Sequence, residues 1–376
     1  MTGNNSTIAF DRTLDNLLQN IQLYYTPILV VLGSLGNCLS MYAFFGTNLR
    51  YSSSSIYLGA LAISDSIFLM IVFVVWLVMV HVNLFNQYGF CQCFIYISTI
   101  SGCLSVWLVV AFTVERYIAV KWPLRRQFLC TVARAKITVM GLTALAVVYS
   151  SPVLLFSTVR LEAGTNSNIC ELDNAWDDWA DVYNYFDTII TFAVPLTVIV
   201  IFNILIVRNI YKFDHVRRTL TIESDVSSEK AHIPRDRMPQ TKVTKMLLLV
   251  STAFFCLNMP SFVLRLTAFT YDNNQLWLIY AQQMCNQLLF NTSFGINFIL
   301  YCVSGQNFRR AMVYMFTKRS SNRRSGTLTQ MTNQGKQCVS ELTRRYSSKK
   351  QPHFVDSVRR KYSKETQKLP VNEELQ

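Results

Sequence analysis

Phe94-Ile95-Tyr96-Ile97-Ser98-Thr99-Ile100-Ser101-Gly102-Cys103-Leu104-Ser105-Val106-Trp107-Leu108-Val109-Val110-Ala111-Phe112-Thr113-Val114 runs without a charge until it meets Glu115-Arg116-Tyr117. A helix needs about 20 apolar residues to cross the hydrocarbon core of a bilayer. This run, Phe94 to Val120 with its charged end, is long enough. Six others resemble it: Tyr24 to Phe45, Ile56 to Val82, Ile137 to Val159, Tyr185 to Val207, Met246 to Phe269 and Trp277 to Val303. Hydrophobic residues make up 51% of the chain and charged ones only 15%, too few charges for an ordinary soluble domain. A soluble all-helical protein is the competing reading, and seven runs of this length argue against it. The expectation is an all-α membrane protein, a bundle of seven transmembrane helices.

The net charge of +13 is distributed unevenly. Lys121, Arg125, Arg126, Arg134 and Lys136 follow the third run, and the segments from Arg208 to Lys245 and beyond Lys318 are equally basic. The alternate segments hold Arg12, Arg160 and no other Lys or Arg. The positive-inside bias places the tail in the cytoplasm and Met1 outside. A nucleic-acid binder is excluded, because the basic segments alternate with spans. Met1 to Asn20 has no basic stretch followed by an apolar core, so the first span is expected to serve as its own insertion signal. Asn4 and Asn5 head two overlapping glycosylation sequons on that outer segment.

The expected organisation is an extracellular segment 1–22, the bundle 23–304, a short amphipathic helix 305–316 on the inner membrane surface, and a disordered tail 317–376. Tyr211 to Gln240 reads as a mobile inner loop. Ser320-Ser321 and Ser347-Ser348 are phosphate acceptors by composition alone. Of ten cysteines, Cys91, Cys93 and Cys170 lie on the oxidising outer side, where either of the first two can pair with the third.

Charge inside a span is costly and therefore points to function. Glu115 beside Arg116 neutralises most of the arginine's charge, although a snorkelling arginine is the simpler alternative. Glu115-Arg116-Tyr117 with Pro123-Leu124 resembles the Asp/Glu-Arg-Tyr motif of rhodopsin-like (class A) G-protein-coupled receptors. The resemblance extends from Gly36-Asn37 to Phe308. Leu61-Ala62-Ile63-Ser64-Asp65 matches the second-span motif, Pro195 and Pro260 the span prolines, Phe254 the sixth-span pattern, and Asn297-Phe298-Ile299-Leu300-Tyr301 the seventh-span motif. Family spacing selects Cys91 over Cys93 as the partner of Cys170. Asp65, Asn37, Ser105 and Asn297 resemble a sodium site, and serve equally well as a proton-sharing network. Several family positions differ: Asn258 for tryptophan, Phe298 for proline, Asn203 for tyrosine, and Gln240 for the acid that clamps the arginine.

The resemblance also constrains the ligand. The seventh span has no lysine for a retinal Schiff base, and Ser98 replaces the aspartate that amine receptors use. The positions facing the outer mouth are Trp76, Ser98, Thr99, Asp187, Phe262, Arg265, Gln283, Gln287 and Asn291, whose aromatic and amide groups suit a short peptide. Arg265 either meets a ligand carbonyl or acid, or pairs with Asp187. Glu162, Glu171, Asp173, Asp177, Asp178 and Asp181 make the outer loop acidic, which favours a cationic ligand or is a solvated surface. Phe254 to Pro260, taken with the Asn297-Phe298 variant, looks like a subset of invertebrate neuropeptide receptors.

The expected function is a peptide receptor at the plasma membrane that is not an enzyme. Its partners are a heterotrimeric G protein, then arrestin and a receptor kinase. The sixth helix swings out to open a cleft beside Arg116 and Lys242 to Lys245. A lipid ligand is the rival within the family. A transporter or channel is the rival outside it, and would need inverted repeats or a charged path. His81 lacks the companions of a metal or nucleophile site, which weighs against a membrane enzyme.

Overall fold

The computed structural model describes residues 2–161, 167–224, 238–270, 276–315 and 317, and side chains at 13–161, 167–212, 246–267, 278–315 and 317. The chain divides into Met1–Met312 and Val313–Gln376. The tail beyond 317, with its serine clusters, lies outside the described residues, as does Glu162.

Six described helices are long and apolar enough to cross a membrane by themselves. The first is Thr2–Gly46 and starts well before the expected Tyr24. Leu14, Leu17, Leu18 and Ile21 recur at helical spacing, and a helix already nucleated by the span adds residues at little cost. The second is Ser53–Leu77, continued by a 3-10 turn Val78–Val80. His81, with φ at +64°, ends it. The third is Phe90–Lys121, entered through Gly89 at φ +82°, a conformation that suits glycine.

The fourth is Val132–Ser150, where Thr131 accepts from the Arg134 N–H as N-cap. It stops short of the expected Val159. Pro152 follows, then one turn Val153–Phe156, and Ser157–Leu161 is a strand instead. This strand pairs antiparallel with Asn168–Leu172, Val159 opposite Cys170. Two β-branched residues and a partner strand outweigh the apolar character that suggested a longer span.

The fifth span begins at Asp177, not Tyr185. Asp177–Asp187 leads through a π-helical segment Thr188–Ala193 into Val194–Ser224. Pro195 cannot donate a backbone hydrogen bond, and the wide π turn lies just before it. Asp177 and Asp178 occupy the first turn of this helix, where carboxylates suit the helix dipole, so they are not loop residues. The helix also runs on to Ser224, and the sixth starts at Met238. Tyr211 to Ser224 and Met238 to Gln240 are thus helical and not loop. No glycine or proline interrupts 211–224, so the helix continues past the apolar region.

The sixth helix is Met238–Thr270, with Pro260 inside it. The seventh span is segmented: Leu276–Cys285, a π segment Asn286–Phe290, Asn291–Gly295 and Asn297–Ser304. Residues 306–315 are helical as well.

The distribution of side chains suits a bilayer. Ile28, Leu32 and Leu35 of the first helix, Ile137, Met140 and Val148 of the fourth, and Ile201 and Ile204 of the fifth are exposed. Asn37, Asp65, Ser105, Glu115, Arg116 and Asn258 are buried. Apolar stripes of this extent on the outside need lipid around them. Inside, Phe68, Leu69 and Phe294 form a core, with the two rings stacked at 3.8 Å.

Candidate functional site

The inner end is built on the third helix. Arg116 pairs with Glu115, and Ser53 Oγ donates to the same carboxylate oxygen at 2.8 Å. The Arg116 guanidinium lies 5.5 Å from the centre of the Phe112 ring, and both charged side chains are buried. The acid and the aromatic face offset the cost of the buried cation, and the Ser53 hydroxyl helps offset that of the buried carboxylate. Tyr117 meets Phe202 of the fifth helix edge to face at 5.0 Å. The side chains of Gln240 and Lys242 to Lys245 lie outside the described residues. Ser53 was not anticipated, since it is 62 residues from Glu115 and no motif marks it.

Beside the sequence of Asp/Glu-Arg-Tyr type, the short inner segment contributes Cys130. Its thiol contacts the Glu115 carbonyl at 3.8 Å, and burial first, Glu115 second, push it above the usual thiol range.

In the middle of the bundle, Asp65 is fully buried. Ser105 Oγ donates to its Oδ1 at 2.7 Å and Asn297 Nδ2 to its Oδ2 at 2.7 Å. Asn37 does not bond to Asp65. It donates to the Phe294 carbonyl at 3.0 Å, and its Oδ1 has no partner among the described residues. Asp65 thus accepts one hydrogen bond on each carboxylate oxygen. A carboxylate, a hydroxyl and an unpaired amide oxygen are also donors that a hard cation accepts. Tyr301 is fully buried, packed on Phe44 and Phe308. Asn258 is buried, two residues before Pro260, and donates to the Phe254 carbonyl four residues back in its own helix at 2.7 Å.

The seventh-span motif lacks proline, yet the helix still breaks at Ile296, between Gly295 and Asn297. Phe298 is accommodated by Gly36, whose absent Cβ would come within 2.8 Å of the Phe298 Cβ. Its ring also meets Phe308 at 5.9 Å.

The outer end is held by the Cys91–Cys170 disulfide, with Cα atoms 5.7 Å apart. Cys93 is exposed and free. Asn86 Oδ1 accepts the Cys170 backbone N–H at 3.2 Å, a contact that the sequence did not reveal. Arg160 pairs with Glu171 and Asp173, so part of the loop's acidity is neutralised internally.

Arg265 Nη1 reaches Asp187 Oδ2 at 3.0 Å and lies over the Phe192 ring at 5.3 Å. Tyr149 OH donates to the other Asp187 oxygen at 3.4 Å. Phe192 stacks with Phe262. Gln287 donates to Thr26 and accepts from Asn291 at 3.3 Å. Trp76 donates to the Leu23 carbonyl at 3.1 Å. Thr99 turns to its own helix at Ile95, Ser98 is half-buried and Gln283 is exposed. Six of the nine outer residues therefore form two groups: Asp187, Phe262 and Arg265 with the fifth and sixth helices, and Trp76, Gln287 and Asn291 toward the first. The side chains of Asn4 and Asn5 lie outside those described.

A family model described as 7 transmembrane receptor (rhodopsin family) matches residues 36–307. Among known relatives, the FMRFamide receptor of Drosophila melanogaster is 26% identical over 329 residues, or 82% of this chain and 57% of that receptor. The chain thus spans little more than half of that relative's length. The thyrotropin-releasing hormone receptor of Gallus gallus is 25% identical, covering 78% of each chain. Somatostatin receptor type 4 of Rattus norvegicus is 24% identical, over 77% of this chain and 71% of its own. With more than half its length matched, and with a buried Glu115–Arg116 pair at the end of the third of its spans, the chain belongs to the rhodopsin family of seven-transmembrane receptors: a multi-pass membrane receptor and not an enzyme.

Proposed function

We propose that this chain is a plasma-membrane receptor for a short extracellular peptide, with Met1 outside and the tail in the cytoplasm, that activates a heterotrimeric G protein. The carrying observation is the Arg265–Asp187 pair beside the Phe192–Phe262 stack, part-exposed at the outer end. A pair of opposite charges next to aromatic faces offers a peptide both a donor and an acceptor, and each can exchange partners. The peptide receptors among the relatives support the same ligand class.

Binding energy that favours one arrangement of Arg265 and Asp187 shifts the population toward a state in which the sixth helix leaves Arg116. The freed guanidinium and the inner loop then receive a G-protein helix. Asp65 and Ser105, with the Asn37 amide oxygen, would hold a sodium ion that favours the resting arrangement. Residues 306–315 would lie on the inner membrane surface, and the tail would take phosphate from a receptor kinase and then bind arrestin. A peptide-library screen on cells that express the chain, read by calcium and cyclic AMP, tests this. Activation by lipids alone would overturn the ligand class, and solute flux through vesicles without nucleotide exchange would overturn the receptor reading.

A further inference from the structure

The fifth and sixth helices are joined at two levels. The outer tie is ionic, Arg265 to Asp187. The inner tie is neutral: Asn203 Nδ2 donates to Ser251 Oγ at 2.8 Å, while Ser251 donates to the Leu247 carbonyl at 2.8 Å. Ser251 is fully buried. Asn203 follows Phe202, whose ring touches Tyr117, so this bond sits at the level of Glu115-Arg116-Tyr117. Pro260 lies between Ser251 and Arg265 and interrupts the backbone ladder of the sixth helix there.

The amide is also poorly placed for simple stability. Asn203 Oδ1 is buried with no partner among the described residues. An unpaired acceptor in an apolar setting is costly, and a leucine at this position would avoid that cost. The benefit is a single directional bond between the two helices.

We propose that the Asn203–Ser251 hydrogen bond is a resting-state latch, which holds the inner end of the sixth helix against the fifth and is released on activation. This inference rests on the receptor reading above. The latch is weak by its chemistry. Side-chain hydrogen bonds between membrane helices shift equilibria by about threefold on average. It therefore restrains basal activity without preventing a ligand from overcoming it.

The test is nucleotide exchange by a purified G protein on membranes that carry the full chain, without ligand, normalised to surface-labelled receptor. Asn203→Ala and Ser251→Ala should each raise basal exchange about threefold, and the double variant no further than the larger single effect. Exchange that needs Arg116 but does not respond to either substitution would overturn the latch. So would single effects that simply multiply in the double variant. If wild type and variants alike show no Arg116-dependent exchange, the receptor reading fails. The latch is then judged by spin-label distances between the inner ends of the fourth and sixth helices in lipid discs. Asn203→Ala should enlarge the long-distance population, and an unchanged distribution would sink the proposal.

Discussion

Arg116 shows how much a single buried charge depends on its surroundings. Its partners are one carboxylate and one ring, and its Nε has no partner among the described residues. Such a group is held firmly enough to persist and loosely enough to change partners. Arg116→Ala should bring G-protein exchange down to background while peptide binding at the outer end stays close to wild type. Loss of binding alone would show that the arginine serves folding. Gln240 is neutral, so no acid from that position adds to Glu115. Gln240→Glu is expected to lower basal exchange, and an unchanged basal rate would refute the idea that Glu115 is the principal restraint. At the outer end, Asp187→Asn would leave Arg265 as an unpaired cation. Carboxyl-terminated peptides should then gain potency relative to their amidated counterparts, measured as matched pairs. Equal potency ratios in wild type and variant would remove Arg265 from the ligand site.

At the scale of helices, close approach depends on small residues. A Cβ on Gly33 would fall 2.9 Å from the Gly295 Cα and 2.7 Å from the Leu69 side chain. The backbone on one side cannot yield, so the first and seventh helices would have to separate. Gly33→Leu should destabilise the receptor by about 1–3 kcal/mol, seen as a lower thermal midpoint in detergent. Gly102 provides the contrast, with only Phe68 at 3.8 Å. Gly102→Ala should be close to neutral, and an equal loss at both sites would refute the packing argument. The seventh helix shows a second dependence on context. It breaks at Ile296 without the family's proline, and Phe298 fills the space that Gly36 leaves.

The molecule as a whole is tied across its outer face by Cys91–Cys170, which closes a loop of 79 residues. Val159 and Cys170 face each other in the hairpin, so the bridge fastens that hairpin to the head of the third helix. Removing a native disulfide costs about 2–5 kcal/mol. Cys170→Ser should lower the thermal midpoint and weaken peptide binding, whereas Cys93→Ser should change neither. Loss with Cys93→Ser but not with Cys91→Ser would mean that Cys93 is the true partner.

Much of this architecture was legible in the sequence. The lengths of the apolar runs reported the membrane, because a bilayer demands about 20 apolar residues per crossing whatever the tertiary fold. Glu115-Arg116-Tyr117, Asp65 and Asn297 stood out as polar groups that hydrocarbon tolerates only for a reason. The ends of the helices were not legible. The hydropathic signal fades where water begins, and Leu14 to Ile21 and Asp177 to Asp187 are helical for amphipathic reasons that carry less signal. Ser157–Leu161 became a strand because its partner lies in another part of the chain. Tertiary structure alone decided which polar groups meet: Ser53 with Glu115, Asn203 with Ser251, Asn86 with Cys170, and Arg265 with Asp187. These pairs join residues 48 to 84 positions apart. A hydrogen bond needs its two atoms within a few ångströms, and that proximity exists only once the helices have packed.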